Sequence, residues 1–318
     1  VPACDVLLAF GHDEEIGGDA GATAIAALLA ERGVKPGYVL DEGGVIATEV
    51  LPVPTATIGV SEKGYASLRL AVESAGGHSS MPPRETAIGI LANAVARIEG
   101  HRPAAAIGDI QREGYRRLAP HLPFGQRVVL GNLWLTAPLV ERMFAAKPSL
   151  DATPRTTTAP TILRAGVKDN VLPARAEAVV NFRIRVGDSI EGVRAHVVDV
   201  VDDPRVAVTL EPFSTNPAAP SPWDGPEFAQ IERVLRSVSD ETPLVVMPFV
   251  TVGATDVRKY AVLTDRLYRF MPVKLAANEF DRVHGTNEQL AVAELGRAIR
   301  FYAALVRAYE PPRQAALL

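Results

Sequence analysis

The chain has 318 residues, 47% of them apolar and 22% charged, with a formal net charge of −4. That is ample material for a packed core and, at this length, for two domains. Basic residues are spread among acids rather than gathered in blocks, so no nucleic-acid partner is expected, and the longest apolar runs are too short to span a bilayer. The one cysteine, Cys4, excludes a disulfide within these residues and a cysteine-rich zinc site, which leaves carboxylates and imidazoles to hold any metal.

The first residues, VPACDVLLAF, contain a run, VLLAF, that reads as a buried strand of a parallel sheet. A buried strand is an odd place to begin, so the pattern predicts further sequence before Val1 and supports no statement about a signal peptide. GHDEEIGG, from Gly11 to Gly18, follows as an acidic turn. GATAIAALLAERG has helical spacing with Gly33 suited to a left-handed C-cap, and YVLDEGG is a second strand ending in acids. Strand, helix, strand points to an α/β fold, a mainly parallel sheet covered by helices, in which ligands gather at the carboxyl ends of strands. Both acidic clusters fall at such ends.

From Lys63 the texture changes. GYASLRLAVES alternates like a half-exposed antiparallel strand, GGHSSMPP makes a loop, and RETAIGILANAVARIEG is an amphipathic helix. ARAEAVVNFRIRV, SIEGVRAHVVDVV and VAVTLEP continue as strand, helix and strand, which predicts a small α+β domain inserted over 63–213. Pattern alone does not place the stretch from Pro103 to Pro160, with its Thr-rich PRTTTAPT. STNPAAPSPWDGP, from Ser214, is a Pro-rich connector back to the first domain, assigned to 1–62 and 214–318. A last helix is expected just after His284, where Thr286 and Gln289 fit a capping box.

Asp13, Glu14 and Glu15 repel one another, so their crowding needs open water or a cation. Adjacent glutamates at a strand end can divide labour, one binding a cation while its neighbour takes a proton from the attacking water. Asp41 ends the neighbouring strand and is placed to ligate a second ion. Solvated loop tips are the alternative, and spacing leaves both open. His78 and His284 lie in loops, where site residues concentrate. His101, His121 and His196 lack such context and read as structural.

GHDEEIGG, LDEGG, SEKG, GGHSSMPP, RTTTAPTILRAGVKDNVLP, VNFRI, GATDVR and RVHGTNE occur in one order. In that order the chain resembles the zinc metallopeptidase family of aminoacylase, glutamate carboxypeptidase and carboxypeptidase S, and is most similar to the carboxypeptidase S branch, which includes hydrolases of N-fatty-acyl amino acids. The resemblance implies a zinc-exopeptidase-like catalytic domain with an inserted lid and dimerisation domain, two divalent metal ions (zinc), and hydrolysis of the amide bond of N-acyl amino acids or short peptides. It implies Glu14 as general base, Glu15 and His284 as ligands of one metal, and Asp41 as a ligand of the other. His78 and Asn170 match residues that steady the oxyanion, often across a dimer interface. Arg183 and Arg258, with the turn Gly253 to Thr255, match motifs that receive a substrate carboxylate, for which a guanidinium is the natural fork.

The chain departs from that family where its earlier His-x-Asp motif and its later bridging Asp are concerned; neither segment is present. Counted against three protein ligands per metal, the Glu15 site keeps two and the Asp41 site one. The expectation is therefore an active parent enzyme whose 318 residues alone are inactive. The competing class is a non-catalytic amino-acid or peptide-binding relative with an incomplete metal site. A small carboxylate-bearing substrate is the expected partner, with a homodimer formed through the inserted domain.

Overall fold

The computed structural model describes residues 4–146 and 148–309. Helix α1 (Ala22–Glu31) precedes strands β1 (Val39–Asp41), β2 (Ile46–Ala47), β3 (Thr55–Glu62), β4 (Gly64–Glu73) and β5 (Gly77–His78). Helices α2 (Ala87–Gly100), α3 (Asp109–Leu118), α4 (Phe124–Gly131), α5 (Leu133–Phe144) and α6 (Pro148–Asp151) come next. Strands β6 (Thr157–Arg164), β7 (Val171–Leu172) and β8 (Arg175–Ile184), helix α7 (Ile190–Val201) and strand β9 (Val206–Leu210) follow. Helix α8 (Pro226–Val238), strands β10 (Val245–Thr251), β11 (Leu267–Arg269) and β12 (Lys274–Leu275), and helix α9 (Val292–Ala308) complete the order.

The chain divides into two compact units. One gathers the residues up to Glu62, Asp109–Thr136 and the residues from Ala219; the other holds Lys63–Gly108 and Ala137–Ala218. The first unit carries a sheet of order β1-β11-β3-β2-β12, with β10 also paired to β3. The longest pairing, β3 with β10, is parallel and runs from Thr55↔Val245 to Glu62↔Thr251; β1 and β11 are likewise parallel and align Asp41 with Arg269. Because β2 and β11 run antiparallel to β3, the sheet is mixed, within the expected α/β class. Helix α1 seats the small side chains Ala22 and Ala26 against Val257, Tyr260 and Leu267, which fixes the chain just beyond the acidic turn.

Three expectations need correction. Val6, Leu7, Leu8 and Phe10 are exposed and join no ladder among the described residues, so VLLAF is not a strand there; a strand needs a neighbour's N–H and C=O groups. The inserted domain is not one contiguous block, because 109–136 belongs with the first unit. The reason is the face that α3 presents: Ile110, Gly114 and Leu118 are buried, Leu118 shares a cluster with Val245, and a Cβ on Gly114 would stand 2.8 Å from Met247 Cε. Nor does Thr286 cap the last helix, which starts at Val292. His284 and Asn287 take left-handed backbone, with φ of 58° and 62°, and a right-handed helix cannot pass through them.

The second unit is a four-stranded antiparallel sheet, β6-β8-β4-β9, with helices α2 and α7 on one face. Period-two alternation builds that face from Ala66, Leu68, Leu70 and Val72 on β4 and Ala178, Val180, Phe182 and Ile184 on β8. Helix α2 answers with Ile90, Leu91, Ala94 and Ile98, and α7 with Val193, Val197 and Val201. Thr86 and Ser189 cap the two helices by accepting the N–H groups of Gly89 and Gly192. The Thr-rich segment supplies β6, which pattern missed because it is an edge strand broken by Pro160 and a register shift before Ile162.

Lys63 anchors the long excursion's return within this unit. It is buried, and its ammonium donates to the carbonyls of Ala152 and Arg155, each at 2.7 Å. Burial, with the repulsion of Arg183, pushes its pKa down to about 8. Between that value and the ordinary 10.5, the unfolded chain holds a proton that the folded chain does not, so stability rises with pH across the window. The unfolding free energy of wild type minus that of Lys63→Met is expected to grow by roughly 2 kcal/mol from pH 8 to pH 10.5, read by urea unfolding at both ends. A constant difference would contradict the assignment.

Candidate active site

The acidic turn is shaped by its own first acid. Asp13 accepts the N–H groups of Ala20 at 2.7 Å and Gly21 at 2.8 Å, so the short 3-10 segment Glu14–Ile16 is folded back toward α1. The paired glycines are required twice over: Gly17 and Gly18 have φ of 112° and 70°, and a Cβ on Gly18 would fall 2.1 Å from Asp256 Oδ1. The sequence GG thus lets the acidic turn close on a further carboxylate.

Glu14 lies within electrostatic reach of Glu15, Asp41, Glu42 and Asp256. Burial raises the pKa of Glu14, and the charges of Glu42, Glu15, Asp256 and Asp41 add to the rise. Glu42 is raised by burial and by Asp41, with His284 opposing. Asp41 is raised chiefly by burial, although the N–H of Glu42, which it accepts at 2.9 Å, pulls the other way. Asp256 is raised by burial and then by Asp41 and Asp13.

Glu15 and His284 meet, with Nε2 3.5 Å from Oε1. Both side chains are exposed, so as a plain ion pair they would contribute little to stability. His284 takes left-handed backbone, with φ of 58°, where its ring meets Glu15. Carboxylates in excess together with an imidazole suit a divalent cation that accepts oxygen and nitrogen donors. Among the described residues, no three His, Cys, Asp or Glu side chains converge to enclose one. The donor chemistry fits a metal, while the set is partial.

The turn from Gly253 to Thr255 adjoins a buried network. Thr255 donates both its hydroxyl, at 2.7 Å, and its N–H, at 3.2 Å, to Glu62 Oε1, and the Arg269 Nε–H donates to the same oxygen at 2.7 Å. The polar groups of Thr255 are therefore committed within the protein, whereas a Cβ on Gly253 would meet nothing within 4 Å. Arg258 follows in the 3-10 segment Asp256–Val262, where its charge favours ionised Asp256 and Asp19.

In the second unit, the β5–β7 ladder brings His78 beside Asn170: His78 pairs with Val171, and the Ser79 N–H donates to the Asn170 carbonyl at 3.2 Å. Ser80 donates its N–H to His78 Nδ1 at 3.2 Å, which makes the neutral ring an Nε2–H tautomer. Arg183 stacks over Tyr65, its guanidinium carbon 4.9 Å from the ring centroid. A cavity of about 510 Å³ lies elsewhere, at the start of β10, and its Arg117 and Arg236 are already paired with Glu232. Sequence reading passed over Glu42, Asp256, Glu62 and Arg269. The first three stand inside motifs already singled out, but Arg269, in RLYRFMP, carried no signal beyond a strand.

A family model described as a peptidase dimerisation domain matches residues 60–208. The N-fatty-acyl-amino acid synthase/hydrolase PM20D1.1 of Danio rerio is 40% identical over 312 residues, covering 96% of this chain and 60% of the relative. A carboxypeptidase S-like protein of Dictyostelium discoideum is 36% identical over 312 residues, covering 96% and 59%. An M20 family metallo-carboxypeptidase from Sulfolobus solfataricus shares the fold, with a TM-score of 0.60 and 15% identity, covering 93% of this chain and 68% of that one. The chain belongs to the M20 peptidase family. It spans about 60% of the length of the curated relatives it matches. That family uses divalent metal ions, and no helix among the described residues is long and apolar enough to cross a membrane.

The crowding has a measurable sign. A carboxylate whose pKa is raised by folding favours the folded state below its unfolded pKa and loses that contribution as pH rises through the folded one. In metal-free protein, Asp256→Asn should raise the melting temperature at pH 7, and the gain should shrink as pH falls into the carboxylate range. A gain that grows on acidification would show that folding does not raise the Asp256 pKa.

Proposed function

We propose that the full-length protein is a metal-dependent hydrolase that cleaves the amide bond of N-acyl amino acids, N-fatty-acyl amino acids among them. The observation that carries this reading is Glu14, held at a raised pKa among acids and adjacent to the Glu15–His284 pair. The names of the relatives, an N-fatty-acyl-amino acid synthase/hydrolase and a carboxypeptidase S-like protein, support the same chemistry.

Glu15 and His284 would hold one divalent cation and Asp41 would contribute to a second, both zinc. Such ions supply Lewis acidity that makes water nucleophilic near neutrality. Glu14, its pKa raised by burial and by the neighbouring acids, accepts the proton of the attacking water and delivers it to the leaving nitrogen. Arg258 and the Gly253 turn receive the substrate carboxylate. His78 and Asn170 would steady the developing oxyanion, and Arg183 would be a further partner for the substrate carboxylate. A homodimer forms through the second unit, which the peptidase dimerisation domain matches almost throughout.

With the full-length protein, release of free amino acid is expected from a panel of N-acyl amino acids and to stop on chelation. Glu14→Gln should lower kcat by about 10²–10⁴ while zinc content is kept. Metal-loaded protein that binds N-acyl amino acids without cleaving them would instead identify a non-catalytic binding relative.

A further inference from the structure

We propose that the buried Glu62–Arg269 pair is a positioning element that holds the Gly253–Thr255 turn in its substrate-receiving form, and so sets affinity for the substrate carboxylate without touching substrate. The proposal rests on the reading of that turn given above. Arg269 is fully buried and Glu62 nearly so, yet they form a closed chain: Arg269 Nη1–H donates to the Leu267 carbonyl at 2.9 Å, Arg269 Nε–H to Glu62, and Thr255 donates twice to that same Glu62 oxygen.

Two features separate this role from packing. A buried ion pair is weak support for stability, since apolar residues of similar volume commonly serve as well. Within the turn Val252 is exposed and the Cβ position of Gly253 is open, so Thr255 is its buried anchor. Glycines clear the route for the arginine. A Cβ on Gly59 would lie 2.9 Å from Arg269 Cβ, and one on Gly43 would lie 3.0 Å away, so side chains at either position would displace the stem that delivers the guanidinium.

The mainstay of the pair also leaves a mark of its cost. Among the described residues, Arg269 Nη2 and Thr251 Oγ1 are buried with no hydrogen-bond partner, and Thr251 Oγ1 and the Arg269 stem lie against the vacant Cβ position of Gly59. A stem chosen for stability alone would not leave a guanidinium N–H orphaned in the core. Orientation of Glu62 toward the turn accounts for that compromise.

Two measurements test the proposal. Amide hydrogen exchange compares wild type with Thr255→Val and with the double variant Glu62→Met, Arg269→Met, which leaves no buried charge unpaired. Faster exchange is expected at 252–256 in both variants, with the β3–β10 peptides unchanged. In the full-length enzyme, Thr255→Val should raise KM for N-acyl amino acids about tenfold, the equivalent of one hydrogen bond to a charged group, with kcat altered less than twofold, and Thr255→Ser should restore KM. Unchanged exchange at 252–256, or a fall in kcat at constant KM, overturns the positioning role. If wild type hydrolyses no N-acyl amino acid, the functional reading fails, and exchange at 252–256 still decides whether the pair holds the turn.

Discussion

Glu14 and the four carboxylates within its reach are the constraint on which the first unit depends. Glu14, Asp41, Glu42 and Asp256 are each raised first by burial and then by neighbouring acids, so the folded chain bears an electrostatic cost at neutral pH that ordinary packing does not relieve. The surrounding structure is arranged to bear it. Asp13 ties the acidic turn to the start of α1, glycines at 17 and 18 let it approach Asp256, and the small face of α1 packs on Val257, Tyr260 and Leu267. The family uses divalent metal ions, and a divalent cation is the ordinary physical compensation for such crowding.

Around that cluster a second kind of polar structure works differently. Glu62, Arg269 and Thr255 are buried and hydrogen-bonded to one another, so their charges are paired inside rather than left available. The acids at the turn are crowded by like charge, with only the exposed imidazole of His284 beside Glu15, whereas Glu62 is held rigid by Arg269 and Thr255. Placing an available set beside a rigid one is how a site obtains both reactivity and geometry. The second unit shows the same division on a smaller scale: Thr156 donates to Asp188, which also receives Arg185, while His78 keeps an exposed Nε2–H on a two-residue ladder.

Much of this was legible from the sequence, and the parts that were not have definite causes. Alternation in GYASLRLAVES and ARAEAVVNFRIRV correctly located β4 and β8, because an antiparallel sheet covered on one face imposes period two. The helical period of ATAIAALLAE and of AIGILANAVARIEG located α1 and α2 for the corresponding reason. By contrast, VLLAF has the composition of a strand, yet it has no ladder among the described residues, since a strand is a pairing and not a property of one segment. Segment 109–136 was misassigned because no local signal says which sheet an amphipathic helix will cover; Gly114 against Met247 decides it.

What the sequence determined by itself is the supply of chemistry: a run of acids closed by paired glycines, loop histidines at 78 and 284, and an ordered set of motifs that identifies the family. What only the tertiary structure decided is which of those groups are free. It brought Glu15 to His284 across more than 260 residues, added Asp256 and Glu42 to the acids, and bound Thr255 to Glu62 and Arg269 instead of leaving it exposed. The physical reason is that composition and period are local quantities, whereas desolvation, charge crowding and hydrogen-bond partnership are sums over neighbours that only the folded chain brings together.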